Sequence, residues 1–178
     1  DGCINLDTLT VAKDNPTFMS KDNAIYSKDE TELVTVTIVS EFKVPNTVKV
    51  IGPDVFFNNT NLISVEIPSS VVKIGESAFN SCKNLRSIQL PEKLVEIGEN
   101  CFWGDDSLSV VRIPATVTNI GYGAFLNCKG LTAVYFYGDL PQFQSSEPTM
   151  RANMIFSSCS KLKTAYYPDG NTTWTAEG

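Results

Sequence analysis

A solenoid is the fold class this sequence predicts, a coil of short stacked units with a sheet along one side, and three observations predict it. Pro45, Pro68, Pro91 and Pro114 fall 23 residues apart. The pairs Ile51-Gly52, Ile74-Gly75, Ile97-Gly98 and Ile120-Gly121 keep the same step. So do Phe56, Phe79, Phe102 and Phe125, and with them Leu62, Leu85, Leu108 and Leu131. Independent marks held in one register over more than ninety residues define a unit of one supersecondary turn. Such a unit is too small to bury its own apolar residues and must stack on its neighbours.

Each unit ends in Leu-x-x-apolar-x-apolar, as in Leu62/Val65/Ile67, Leu85/Ile88/Leu90, Leu108/Val111/Ile113 and Leu131/Val134/Phe136. The alternation of its last four residues turns one face of a short strand inward and the other to solvent. Stacked, these strands form a parallel sheet along one side of the coil. The proline that follows removes a ladder donor and ends the strand. Val48, Val71, Leu94 and Val117, with the isoleucines, point inward on the return path. The glycine after each isoleucine suits a turn with positive φ. The Ala-Phe pairs Ala78-Phe79 and Ala124-Phe125 fit a short helical or 3₁₀ turn on the far side, with the ring filling the centre.

Imperfect copies extend the pattern to both ends. Cys3, Leu6, Leu9 and Val11 match Cys82, Leu85, Ile88 and Leu90; Val39, Phe42 and Val44 stand one period before Leu62, Val65 and Ile67; Leu162, Ala165 and Tyr167 repeat the offsets again. That makes about seven strands. Leu6 to Val39 is 10 residues longer than a period and Leu131 to Leu162 is 8 longer, so loops are expected to bulge there. The first excess carries Ala24-Ile25-Tyr26 and Leu33-Val34-Thr35-Val36 around a polar turn, a β-hairpin signal, and Gly138 to Met150 reads as loop. The chain is expected to be one domain over 1–178: a partial first repeat at 1–11, the hairpin insertion at 12–38, regular repeats at 39–136, a loop insertion at 137–150, and the last repeat and tail at 151–178. Asp1 begins inside a unit with no polar cap before it, which is the expectation for a fragment of a longer protein.

Composition narrows the function classes. With 178 residues and 42% hydrophobic content the chain can build a core, and a net charge of −6 without a basic run argues against nucleic acid or anionic lipid as partner. No apolar run approaches the roughly 20 residues of a membrane span, so direct membrane insertion is not expected. There is no histidine, the commonest acid–base residue near neutral pH and the commonest metal ligand. A serine triad therefore has no base, and Asp105-Asp106, Glu92, Glu96 and Glu99 sit at variable positions where solvation explains them. Catalytic residues, metal and cofactor are each expected to be absent.

Cys3, Cys82, Cys128 and Cys159 all stand three residues before the unit's leucine. That regularity describes a ladder of small buried side chains. Cys82 and Cys128 lie two units apart, roughly 10 Å at about 4.8 Å per strand, too far for a bridge. Cys128 and Cys159 are within reach of one, but the ladder accounts for them without a bridge and is the reading preferred. Asn58-Asn59-Thr60 and Asn171-Thr172-Thr173 match the glycosylation pattern.

Binding is expected on the solvent side of the parallel sheet, a face roughly 30 Å long. Its enumerated positions include Glu66, Gln89, Arg112, Tyr135 and Tyr166, and the last three bring to the C-terminal half the residue types enriched at interface hot spots. A second candidate row follows the core phenylalanines: Phe57, Asn80, Trp103, Leu126 and Ser157, either an exposed ridge on the convex side or, the preferred reading, side chains folded over their neighbours.

These features resemble the bacterial BspA-like leucine-rich repeats, also described from treponemes. The resemblance rests on the four Ile-Gly-x-x-x-Phe-x-x-x-x-x-Leu-x-x-apolar-x-apolar units, the segment from Asn15-Pro16 through Phe18 and Tyr26 to Asp29, and the tail Tyr166-Tyr167-Pro168 to Trp174. It covers essentially the whole chain. Departures are Asn59 and Asp105, where the recurring cysteine is missing, and Ala152, in place of the turn glycine. The resemblance implies a right-handed leucine-rich-repeat solenoid with its parallel sheet on the concave side and short turns and loops on the convex side. It also implies a surface or secreted module with an adhesin-like role, binding a protein or carbohydrate ligand of host origin. The alternative is a structural spacer presenting another domain at the cell surface.

Overall fold

The computed structural model describes Leu6 and residues 8–144 and 154–174. The chain is a solenoid with almost no helix, and its coils are tied by three hydrogen-bonded ladders rather than one.

The first ladder runs along the return path. An antiparallel trio, β1 (Phe18–Lys21), β2 (Ala24–Ser27) and β3 (Glu32–Val36), opens it. From β3 onward the pairing is parallel, through β5 (Val50–Ile51), β7 (Lys73–Ile74), β8 (Glu96–Ile97) and β10 (Asn119–Gly121) to β12 (Gln142–Gln144), the intervening strand numbers belonging to the concave side. Leu33, Ile51, Ile74, Ile97, Ile120 and Phe143 share one register. The 12–38 segment thus does not hang off the coil. It lies on the first rung, with Ala24, Tyr26 and Leu33 buried.

The C-terminal excess also sits differently from expectation. Gln142–Gln144, read as loop, is the next rung of the return ladder, one period after Ile120. Gln144 therefore pairs in the register of Gly121, and Ala152, assigned to that place above, lies outside the described residues.

The second ladder lies on the concave side, where β4 (Glu41–Lys43), β6 (Ser64–Glu66), β9 (Val110–Ile113), β11 (Ala133–Phe136) and β13 (Thr164–Tyr166) occupy five of the seven expected places. They form two sheets, β4-β6 and β9-β11-β13. Residues 8–12 form no strand, and neither do Ser87–Gln89. Ile88 and Leu90 still point inward and are buried, yet residues 86–90 make no backbone hydrogen bond to another described residue. Cross-strand side-chain pairs are the unit of sheet stabilisation. The paired strands carry them: Lys43 on Glu66, Arg112 on Tyr135, Tyr135 on Tyr166. Ser87 and Gln89 have no such partner, and the ladder opens there.

The third ladder is the convex turn, expected above to be helical. Alternate amides donate to the next rung, as Asp54, Phe56 and Asn58 do to the carbonyls of Glu76, Ala78 and Asn80. The amides between them close tight turns on their own rung, as Phe57 does to Asp54. Two left-handed shoulders make this geometry: Asp54, Ser77, Asn100 and Gly123 on one side, Asn58, Ser81, Gly104, Asn127 and Ser158 on the other. Six of the nine are Asp, Asn or Gly, the types that tolerate positive φ, and serine takes the other three.

The repeating glycines are not among them, which corrects their expected role. A Cβ on Gly98 would lie 2.5 Å from the carbonyl carbon of Gly75, and one on Gly121 2.6 Å from that of Gly98. Backbone lies directly on backbone there.

Inside, Phe56, Phe79, Phe102, Phe125 and Phe156 stack with centroids 4.9, 5.3, 5.1 and 5.5 Å apart and planes within 13°. This offset stacking gains dispersion along the coil axis beyond simple area burial. Phe42 meets the stack edge-on at one end. At the other, Trp174 packs on Phe136 and Tyr167 and donates its indole N–H to the Gly138 carbonyl.

Candidate functional site

Strand alternation turns Arg112, Tyr135 and Tyr166 outward from three neighbouring strands in one register. The Arg112 guanidinium lies 5.3 Å from the Tyr135 ring centroid. Tyr135 and Tyr166 stack at 4.4 Å, 4° from parallel. The column therefore brings three of the five sequence-identified positions together. Both faces of Tyr135 are covered, and its task is to hold Arg112, which is exposed, by cation–π attraction.

Gln89 stands one rung before Arg112, outward on the open rung. A groove of about 670 Å³ runs between them, lined by Ser87, Gln89, Leu90, Glu92, Arg112 and Tyr137, among others. Glu66 is apart from the column. It borders a smaller hollow of about 340 Å³ that it shares with Gln89, and its carboxylate meets Lys43 at 2.7 Å in a fully solvated pair worth little to stability. Glu92 and Tyr137 were not enumerated from sequence, because neither is a strand position. Tyr137 had a signal nevertheless: it occupies the place of Pro91 and Pro114.

The row beside the core phenylalanines is mixed: Phe57 and Trp103 are exposed, whereas Asn80 is buried between them.

The groups whose ionisation is most displaced lie inside the coil. Cys82, Cys101, Cys128 and Cys159 are free thiols and buried, so Cys128 and Cys159 are not bridged. Cys82, Cys128 and Cys159 each donate S–H to the phenylalanine carbonyl one rung back, those of Phe56, Phe102 and Phe125, at 3.1, 2.9 and 3.0 Å. Burial, and then the neighbouring Asp105, push the Cys82 and Cys101 thiols up, which keeps them protonated. Asp105 itself occupies a cysteine place, fully buried, with neither carboxyl oxygen hydrogen-bonded, and burial pushes its carboxyl well above the usual carboxylate range. None of these groups lines the groove. Perturbed acidity here belongs to core packing, not to a reacting centre. Among the described residues no group of three or more Cys, Asp or Glu is placed to hold a metal ion, and no helix is long and apolar enough to cross a membrane.

Residues 34–147 match the model of the BspA type leucine rich repeat region, in six copies. The chain belongs to the BspA-type leucine-rich-repeat family. Among solved structures, these BspA-type repeats are similar to a leucine-rich cell surface protein from Faecalibacterium prausnitzii, at 29% identity and a TM-score of 0.80 over 97% of this chain and 44% of that one. The pneumococcal vaccine antigen PcpA shares the fold at 24% identity and a TM-score of 0.78, over 95% and 41% of the respective chains. A leucine-rich-repeat protein of T. pallidum shares it at 19% and 0.55, over 79% and 87%. The chain spans less than half the length of the first two. No curated protein matches it.

Proposed function

We propose that this chain is a non-catalytic, adhesin-like binding module, at the cell surface or secreted, which recognises a protein or glycan of host origin through its concave face. The observation that carries the reading is the Arg112–Tyr135–Tyr166 column, in which the half-buried Tyr135 fixes an exposed Arg112 and an exposed Tyr166 by stacking. Arginine and tyrosine held in one rotamer lose little entropy on binding, and that is what makes them interface anchors. The outer face of Tyr166 belongs to the last strand of its sheet and offers a platform for a partner. The surface-protein description of the F. prausnitzii structure supports an extracellular location.

The spacer reading is favoured by a different observation: the unbroken phenylalanine stack and return ladder stiffen the coil whatever its surface does. One experiment separates the two. The chain and its R112A/Y135A/Y166A variant are applied to a glycan and host-matrix-protein array. A saturable signal lost in the variant is expected; silence across the array would replace the binding module with the spacer.

A further inference from the structure

Arg112 is the one charged side chain at the outward strand positions between Ser87 and Tyr166. Lys43–Glu66 and Lys73–Glu96 form ion pairs, whereas Arg112 meets no acidic side chain in an ion pair among the described residues. A guanidinium fixed over a ring, exposed and unpaired, presents a ready bidentate donor for a planar carboxylate.

The groove beside it has the size of small-ligand sites, which run from about 300 to 1,000 Å³. Its lining is mixed in a way that suits a sugar. Tyr137, which is exposed, supplies apolar surface for a ring face, while the Gln89 amide and Ser87 hydroxyl offer donors and acceptors for hydroxyl groups. Glu92, on the same lining, accepts from hydroxyls and repels a second carboxylate, which gives the groove two unlike ends. The open rung adds amides and carbonyls of residues 86–90 that no strand has taken. The overall charge of −6 does not decide against an acidic ligand, since charges beyond about 8 Å are screened at physiological salt while Arg112 acts at contact.

We propose that this groove is a subsite for a carboxylated saccharide, its carboxylate on Arg112 and its hydroxyls on Gln89 and Glu92. The proposal deepens the concave-face reading and rests on it. It is tested by titrating the whole chain with oligouronates and sialylated oligosaccharides, each beside its carboxyl-reduced counterpart, and with hexaglutamate, read by amide chemical shifts and calorimetry. Expected is saturable binding of at least one carboxylated saccharide, with shifts at Gln89, Glu92 and Arg112. Carboxyl reduction and R112A should each weaken it about tenfold or more, and R112K by less. The reduced sugar should bind R112A and wild type alike. Unchanged far-ultraviolet dichroism and melting of R112A would separate lost recognition from lost fold. Absence of binding by every carboxylated saccharide, equal binding of the reduced forms, or preference for hexaglutamate would each overturn the proposal. If the array still yields a protein partner lost in R112A/Y135A/Y166A, the binding-module reading stands while this subsite falls.

Discussion

Asp105 states the residue-scale problem of a repeat protein: one column, one chemistry, and a member that breaks it. Its neighbours in the column are thiols that donate to a carbonyl one rung back. Asp105 brings a carboxyl to the same dry place and finds no partner for either oxygen. The unfolded chain releases that proton near pH 4, whereas burial holds it to a much higher pH in the folded state. Between the two values the folded form binds more protons, so this group's contribution to stability is complete below the ordinary carboxylate range and is lost as pH rises through the folded value. D105N and D105C should both flatten the dependence. D105C, which restores the column's donor, should raise stability at pH 8 by about 1–3 kcal/mol. Urea midpoints of the three proteins at pH 4, 6 and 8 check this; a wild-type midpoint that climbs across that range relative to D105N contradicts it. Asn59, buried in the same column, indicates that an amide is tolerated there.

At the scale of elements, the glycines illustrate what a period can and cannot say. Phe79, Phe102 and Phe125 were legible as a stack because identical residues in one column need no knowledge of their neighbours. The reason for Gly75, Gly98 and Gly121 was not, because positive φ and close backbone approach leave the same letter in a sequence. Likewise Gln142–Gln144 looked like loop because Phe143 and Gln144 replace the isoleucine and glycine that mark the four rungs before it. Contiguity of Arg112, Tyr135 and Tyr166 followed from shared offsets, while Glu92 and Tyr137 enter the groove from positions outside the strand pattern. The two kinds of glycine can be told apart by substitution. A Cβ on Gly98 meets the backbone of Gly75 and Glu76 at 2.5 Å, so G98A should cost about 3 kcal/mol. At Gly104, φ is +73° and the nearest atom is the Ser81 hydroxyl at 3.6 Å, so G104A should cost about 1–2 kcal/mol of conformational strain alone. Denaturant unfolding ranks them, and a larger loss for G104A would refute the packing account.

Over the whole molecule, stability is carried by ladders that run the length of the coil, and they are not equally complete. The return ladder continues from β1 to β12, and the turn ladder from Asp54 to Ser157. The concave ladder stops at β6 and resumes at β9. Coils in a solenoid are coupled only to their neighbours, so a missing set of bonds on one side weakens that junction without weakening the others. Register alone cannot reveal this, since Ser87 and Gln89 keep the period and fail only in what they offer across the strand. The concave side can therefore yield at residues 86–90 while the return sheet acts as the backing, which places the most deformable rung against the groove beside Arg112. Native-state hydrogen exchange should find the amides of residues 86–90 exchanging faster than those of Glu96, Gly98 and Val111 by about two orders of magnitude. S87V, which adds a β-branched side chain between Ser64 and Val110, should slow exchange across the rung by supplying the missing cross-strand contact. Equal protection of residues 86–90 and 110–113 in the wild type would mean that the concave ladder is whole, and the groove would then be a rigid feature of a uniform coil.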